Sequence, residues 1–473
     1  MSVARLVVPA LRWRDDTGFA HERSRIDEAL GLGVGGFILF GGTAAAVREL
    51  TAELRRRAPH PLLVAADLER GAGQQFDGLT QVPPPRALAS LGRDDVVAWA
   101  GAVTAREARS VGVNWVFAPV ADLDVLPDNP IVQTRAFGDD PRAVGRAVAT
   151  WVRACQAAGA LACAKHFPGH GRTSVDSHIA LPSVDAPLAQ LEAEDLLPFR
   201  MAADAGVASL MTAHVAYPAL DPSGLPATLS ARILSGLRAA GFDGLVVTDA
   251  LIMGGALAGR SEAEAAVQAL AAGADVLLYP ERPAEVVATV ERAIAEGALP
   301  ASRVAESMVR LERALAAVQG EGVAPPAPAF GGADGVADLL LAVAPVRGVR
   351  PALRAPLDLH LVDDDVGGPY PAVPATTVRA TLEARGVPLG AGGSRVVLAF
   401  AEPRAWKGRS GFGPASRRAL EAAVPGADLV LLFGHERLAA EIPAGPPVMV
   451  AWHRQRLMQA AAGRWLAAQV GTV

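Results

Sequence analysis

The chain has 473 residues, 51% of them hydrophobic and 20% charged, with a formal net charge of −5; a length several times what one core needs predicts two domains. The near-neutral balance excludes the clustered positive charge of a nucleic-acid surface, and only two cysteines, Cys155 and Cys163, exclude a disulfide scaffold or a cysteine-rich metal site. Of the 44 Lys and Arg residues, only Lys165 and Lys407 are lysine, a bias that reads as nucleotide composition for the bulk of the chain.

The apolar start is broken by Pro9 and ended by Arg12, too short for a signal-peptide core. No apolar run approaches ~18 residues, so no membrane span is expected and a cytoplasmic location is the default. Short apolar, β-branched runs then recur at Arg5–Pro9, Gly36–Phe40, Leu62–Ala66, Asn114–Ala118, Leu161–Ala164, Ser209–Thr212, Gly244–Thr248 and Asp275–Tyr279. Amphipathic stretches separate them, among them Ala44–Arg57, Arg142–Ala157, Leu188–Ala205 and Ser261–Ala272. Strand and helix alternating in this way predict a (β/α)8 barrel of the TIM type. A doubly wound open sheet uses the same units, but the Gly-rich run Gly31–Gly36 precedes a strand where a dinucleotide site needs it to follow one. A helix over Pro300–Val318 leads into a Pro/Gly-rich stretch that reads as a linker. Strands at Leu357–Val362, Arg395–Phe400, Ala427–Phe433 and Val448–Trp452 predict a smaller α/β, sandwich-like domain. The expected division is a barrel over 1–319, a linker over 320–350 and a C-terminal α/β domain over 351–473.

Chemistry in a barrel gathers where the strands end, because the βα loops converge there. The third strand ends in Asp67-Leu-Glu-Arg70. The fourth leads to Asp122 and on to Asn129–Asp140, which includes Arg135. The fifth ends in Lys165-His166-Phe-Pro-Gly-His170-Gly171, followed by Asp176-Ser-His178. The sixth ends in His214 and the seventh in Asp249. Ionisable groups on five successive strands are costly to bury together, and packing alone does not explain them. Asp122 reads equally as a turn cap and as a pocket residue. His170, between two glycines, reads as a hydrogen-bonding strut, and His214 as a satisfied supporting histidine. Asp139 and Asp140, before Pro141, read as the start of a helix. Asp249 lies between apolar neighbours with no sequence-local partner, as a nucleophile or ligand would.

These segments together resemble glycoside hydrolase family 3, and more narrowly its β-N-acetylhexosaminidase (NagZ-type) branch. Lys165-His166-Phe-Pro-Gly-His170-Gly171 with Asp176-Ser177-His178 is similar to the family's signature loop, and Val247-Thr-Asp249-Ala-Leu251 with Met253 to its nucleophile segment. Ala66-Asp67-Leu-Glu69 and Thr134-Arg135-Ala-Phe-Gly138 resemble its sugar-binding segments, and the likeness covers about residues 5–320 in order and spacing. The resemblance implies a retaining β-N-acetylglucosaminidase with Asp249 as nucleophile, which cuts terminal GlcNAc from muropeptides during peptidoglycan recycling. It implies that His178 serves as acid and base in turn, oriented by Asp176. It implies sugar contacts from Asp67, Arg135, Lys165 and His166. At the third strand the branch has two arginines that this chain lacks; Gln75 stands at the sugar-site one, with Arg70 displaced along the loop, and Arg172 replaces an acidic residue. Sugar or leaving-group recognition is therefore where the chain departs from its relatives.

No cofactor and no metal are expected, and the expected partner is a small carbohydrate bound by a monomer. The rival functions are a glycoside phosphorylase, since a histidine acid–base leaves no carboxylate to repel phosphate, another family 3 β-glycosidase, and a non-catalytic sugar-binding barrel. Lys165, beside His166, reads as a compact ammonium reaching hydroxyls where a guanidinium is too large. Lys407 has no such role in sight. Ser410–Ala415 reads as a helix start in preference to an anion cradle.

Overall fold

The computed structural model describes residues 2–177, 179–257, 259–319, 330–364, 367, 372–404 and 407–470. The chain divides into two compact units. Met1–Thr80, Asp94–Leu126 and Ala136–Pro326 form the first; Gln81–Arg93, Pro127–Arg135 and Ala327–Val473 form the second.

In the first unit, strands β1 (Val7–Val8), β2 (Ala10–Arg12), β3 (Gly36–Phe40), β4 (Leu63–Ala66), β5 (Trp115–Val116), β6 (Leu161–Phe167), β7 (Ser209–Thr212), β8 (Leu245–Val247) and β9 (Leu277–Leu278) alternate with helices. β2 to β8 form one parallel sheet in chain order. β8 meets β9 at a parallel bridge between Val247 and Val276, and β9 pairs with β1 through Val7↔Leu277 and Val8↔Leu278. Because β1 and β2 are one run interrupted at Pro9, which has no N–H for a ladder, these pairings close the expected barrel.

Local chemistry sets the helices. Ala44–Arg57 is capped by Thr43 Oγ1 accepting from Ala46 N, and buries Val47, Leu50, Thr51 and Leu54 on one face. Pro141–Ala157 starts on Asp140, whose carboxylate accepts from Ala143 N at 2.7 Å. The helix expected over Leu188–Ala205 is instead two, Leu188–Ala193 and Leu197–Asp204. Pro198 explains the break, since it suits a first turn and cannot donate to one before it.

At the barrel end where strands begin, Asp275 is wholly buried just before β9. Its carboxylate takes Val246 N at 2.9 Å and Ser307 Oγ at 2.8 Å, and pairs with Arg238, Arg303 and Arg310. This knot ties the long helix Ala301–Ala317 to β8 and β9.

The second unit has a five-stranded sheet of β10 (Val346–Arg347), β11 (Asp358–Asp363), β12 (Arg395–Phe400), β13 (Leu429–Phe433) and β14 (Val448–Val450). The order is β10-β14-β13-β12-β11, with only β10 antiparallel to its neighbour. The segment assigned to a linker over 320–350 carries a helix, Gly332–Val343, as well as β10. Pro and Gly are densest in its first part, and Val336, Ala337, Leu340 and Leu341 then repeat at helical spacing and are buried. Two segments from between barrel strands also belong to this unit. Val82 O accepts from Gln455 Nε2 at 2.9 Å, and Arg86 pairs with Glu436 at 2.6 Å.

Replacing Asp275 with Asn removes the wholly buried carboxylate that three partly buried arginines share, although Arg303 keeps Glu306 and Arg310 keeps Asp243. Urea unfolding should show a loss of about 3–5 kcal/mol, with kcat/KM of the folded enzyme unchanged because the knot lies at the end opposite the strand-end cluster.

Candidate active site

The ends of β4 to β8 carry the predicted cluster, and the first unit brings most of it together. Side chains alternate along β6, so Cys163 and Lys165 share a face. Burial pushes the Cys163 thiol up to about 12, while the charges of Lys165, Asp67 and Asp249 all act on it. The three charged groups therefore share one electrostatic neighbourhood inside the strand ends.

Lys165 has a side chain only 3% exposed. Its Nζ meets Asp67 Oδ1 at 2.6 Å and Glu69 Oε1 at 2.8 Å. A lysine is tolerable there because two carboxylates replace its water. Two of its three donors are thus directed at protein carboxylates, of which Asp67 is the more exposed. Glu69 is a member of the cluster that the sequence did not single out; its place two residues after Asp67, in the turn that follows β4, is the signal that pointed to it.

Asp122 settles in favour of the pocket. It is 1% exposed. Oδ1 accepts the backbone N–H groups of His166 at 3.0 Å and His170 at 2.7 Å, and Oδ2 faces His166 Nδ1 at 2.7 Å. Burial opposes its charge, but the His166 ring and the hydrogen bonds outweigh that and hold the carboxyl below its ordinary range. A carboxylate offers only lone pairs, so Nδ1 of His166 carries a proton and the ring orientation is fixed.

Asp249 follows β8, and its Oδ1 accepts from Ala250 N at 2.7 Å. His214 is buried and supports this segment: Nε2 lies 3.1 Å from Ala250 O and Nδ1 lies 2.8 Å from Thr228 Oγ1. Asp176 is 2% exposed, and its carbonyl accepts from Ile179 N and Ala180 N. His178 lies outside the described residues. Gln75 Oε1 accepts from Gly41 N at 3.1 Å, which ties its amide to the chain beyond β3. Arg135 belongs to the second unit, where Nη1 donates to Ile131 O at 3.1 Å. Arg172 pairs with Asp195 at 2.8 Å and with Glu194, so its charge is spent on the helix turn that follows. Among the described residues, no three His, Cys, Asp or Glu side chains converge to hold a metal, and no helix is long and apolar enough to cross a membrane.

Comparison with known proteins places this geometry. The Glycosyl hydrolase family 3 N terminal domain matches residues 16–314. A beta-hexosaminidase of Chromobacterium violaceum is 41% identical over 287 residues, 57% of this chain and 78% of that protein. A family 3 beta-N-acetylglucosaminidase from Paenibacillus sp. superposes with a TM-score of 0.83 at 28% identity, covering 99% of this chain and 96% of that one. A beta-glucoside phosphorylase superposes with a TM-score of 0.82 at 20% identity over 99% of this chain and 92% of its own, a likeness of fold alone.

Two substitutions test the cluster. In Asp122→Asn, Oδ1 must stay oxygen to meet two N–H groups, so the amide nitrogen faces His166 Nδ1 and drives its proton to Nε2. With the ring tautomer inverted, kcat/KM should fall about ten- to a hundred-fold, and an unchanged value would show that His166 orientation is irrelevant. Lys165→Arg keeps the charge but puts a larger, planar group between Asp67 and Glu69, and should lower kcat/KM about ten-fold or more.

Proposed function

The chain belongs to glycosyl hydrolase family 3 and is a glycoside hydrolase acting on O-glycosyl bonds, and we propose that it is a retaining β-N-acetylglucosaminidase releasing terminal, non-reducing GlcNAc. Asp249 is the nucleophile of the proposed mechanism. His178 is the general acid that protonates the departing oxygen and then the base that activates water, with Asp176 fixing its tautomer. The observation that carries the reading is the gathering of Asp249, Lys165 and Asp67 around the end of β6. A carboxylate at a strand end, beside further carboxylates that accept from sugar hydroxyls, is what formation of a glycosyl-enzyme requires.

The other proposed contacts follow the same chemistry. Asp67 accepts from hydroxyls, with Lys165 holding its carboxylate; His166 offers Nε2, since Nδ1 belongs to Asp122; Arg135 donates. Gln75 stands in place of an arginine, so one side of the sugar or its leaving group is met by an amide and not by a cation. The names of the relatives, a beta-hexosaminidase and a beta-N-acetylglucosaminidase, support GlcNAc as the sugar. The expected natural substrates are muropeptides, in peptidoglycan recycling in the cytoplasm, and a two-domain monomer divided near 319–351 is the proposed working form.

Turnover of p-nitrophenyl-GlcNAc with and without inorganic phosphate tests the reaction. Free GlcNAc, with its rate unmoved by phosphate, is expected; GlcNAc-1-phosphate as the main product would make the enzyme a phosphorylase. Asp249→Asn should lower kcat by about a thousand-fold or more. A fluorinated GlcNAc analogue that accumulates the glycosyl-enzyme should label the peptide containing Asp249, and labelling elsewhere would remove the nucleophile assignment.

A further inference from the structure

The loop after β6 is held by buried bonds that the proposed chemistry does not itself use. His170 is 2% exposed, and its ring spans the loop, with Nδ1 2.6 Å from Thr173 Oγ1 and Nε2 2.9 Å from Ser177 Oγ. Burial lowers its pKa to about 4, so in ordinary buffers the ring is neutral, with one N–H and one lone pair. The Thr173 hydroxyl donates to His170 O at 3.0 Å, so its oxygen is the acceptor for Nδ1–H. Nε2 is then the lone pair, and the Ser177 hydroxyl donates to it.

Ser177 is also 2% exposed, and it faces a second segment. Its carbonyl accepts the N–H of Gly255 at 3.1 Å. Gly255 lies in the single turn Gly254–Leu257 that follows Asp249. A Cβ added at Gly255 would stand 2.9 Å from Ser177 O and 3.1 Å from His214 O, so the two backbones meet where no side chain fits. The start of the loop is held as closely: a Cβ at Gly171 would lie 1.9 Å from Leu123 O, and Gly169 O accepts from the buried Tyr217 hydroxyl.

We propose that Ser177 is a positioning residue, pinned by His170 on its side chain and by Gly255 on its backbone, that registers the Asp176 segment against the segment of the nucleophile Asp249. The proposal rests on the acid–base and nucleophile roles given above. Ser177 stands between Asp176 and His178 in sequence, so a displacement of its peptide is passed to both neighbours. Misplacement by ~1 Å in such a pair costs about a hundred-fold in rate. The burden falls on the step that needs a proton.

Leaving-group dependence reads this out. Ser177→Ala, Gly255→Ala and His178→Ala are compared with the parent on two N-acetylglucosaminides, one with a 2,4-dinitrophenyl aglycone that departs unprotonated and one with a methyl aglycone that requires an acid. Thermal melting monitors folding. For Ser177→Ala, kcat on the methyl glycoside should fall about ten- to a hundred-fold, with KM within about two-fold and initial release of dinitrophenol nearly unchanged. Gly255→Ala should show the same selective loss, and if it does not fold, Ser177→Ala carries the test. Equal losses on both substrates, or wild-type kcat on the methyl glycoside, would overturn the positioning role. His178→Ala separates the two failures. If it loses the methyl glycoside while Ser177→Ala does not, only the positioning role falls; if it keeps that activity, the acid–base reading falls and the positioning role with it.

Discussion

The carboxylate of Asp122 is the fixed point from which the strand-end cluster is built. Three donors converge on it: two backbone N–H groups and one imidazole N–H. Burying a charge is costly, and this charge is retained because every approach to it carries a donor. The loop after β5, the end of β6 and the start of the following loop therefore cannot move independently. From His170 the constraint continues through Ser177 to Gly255, beside the segment that begins at Asp249. A reaction needing an acid and a nucleophile on two strands requires this kind of cross-strand fixing, since each strand positions only its own side chains.

The two ends of the barrel solve the burial of charge in opposite ways. Around Asp275, cations outnumber the carboxylate: Arg238, Arg303 and Arg310 all reach it. Its lone pairs are consumed, and the result is a closed structural knot. Around Lys165 the balance reverses, with Asp67 and Glu69 sharing one ammonium and Asp249 nearby. A carboxylate can accept from several hydroxyl groups, and sugars are rich in hydroxyl donors. Asp67, the more exposed carboxylate, is the one placed to use them.

The barrel was legible because each strand is a short apolar run and several helices carry their own caps, Thr43, Asp140, Ser230 and Ser261 among them, so local signals suffice. The helix Gly332–Val343 was hidden by the Pro/Gly-rich stretch before it, and the broken helix around Pro198 by an apolar periodicity that runs on through the break. Within the site, Asp67, Lys165, His166, Asp176 and Asp249 stood out as ionisable groups at strand ends. Asp122 remained ambiguous because its partners lie 44 and 48 residues away, and nothing local separates a cap from a buried anchor. Ser177 entered only as the residue between Asp176 and His178. Its proposed role joins a side-chain bond to His170 with a backbone contact to Gly255, and a backbone contact leaves only the absence of a side chain as its trace in sequence.

Lys407 shows how far the logic of Lys165 extends. Its side chain is 1% exposed and its Nζ lies 2.8 Å from Asp364 Oδ2, with Arg409 on the same carboxylate. Burial pushes the Asp364 carboxyl up, but the bonds from Arg409 and Lys407 outweigh it and hold it at about 2. Asp364 Oδ1 also takes Gly413 N at 2.8 Å, and Glu441 takes Phe412 N at 3.2 Å, so the helix start at Pro414 is satisfied by the protein's own carboxylates and the run Ser410–Ala415 is no cradle for an outside anion. Both lysines in a chain of arginines are thus interior ammonium groups held by carboxylates. A guanidinium must direct five N–H donors in a rigid fork, and inside a packed domain each donor without an acceptor is a cost. An ammonium needs three acceptors, close together, in no fixed plane. The interior Arg454 is accommodated where Asp363 and Glu402 both face it; the two lysines occupy sites where one compact ammonium suffices, once in the barrel and once in the second unit.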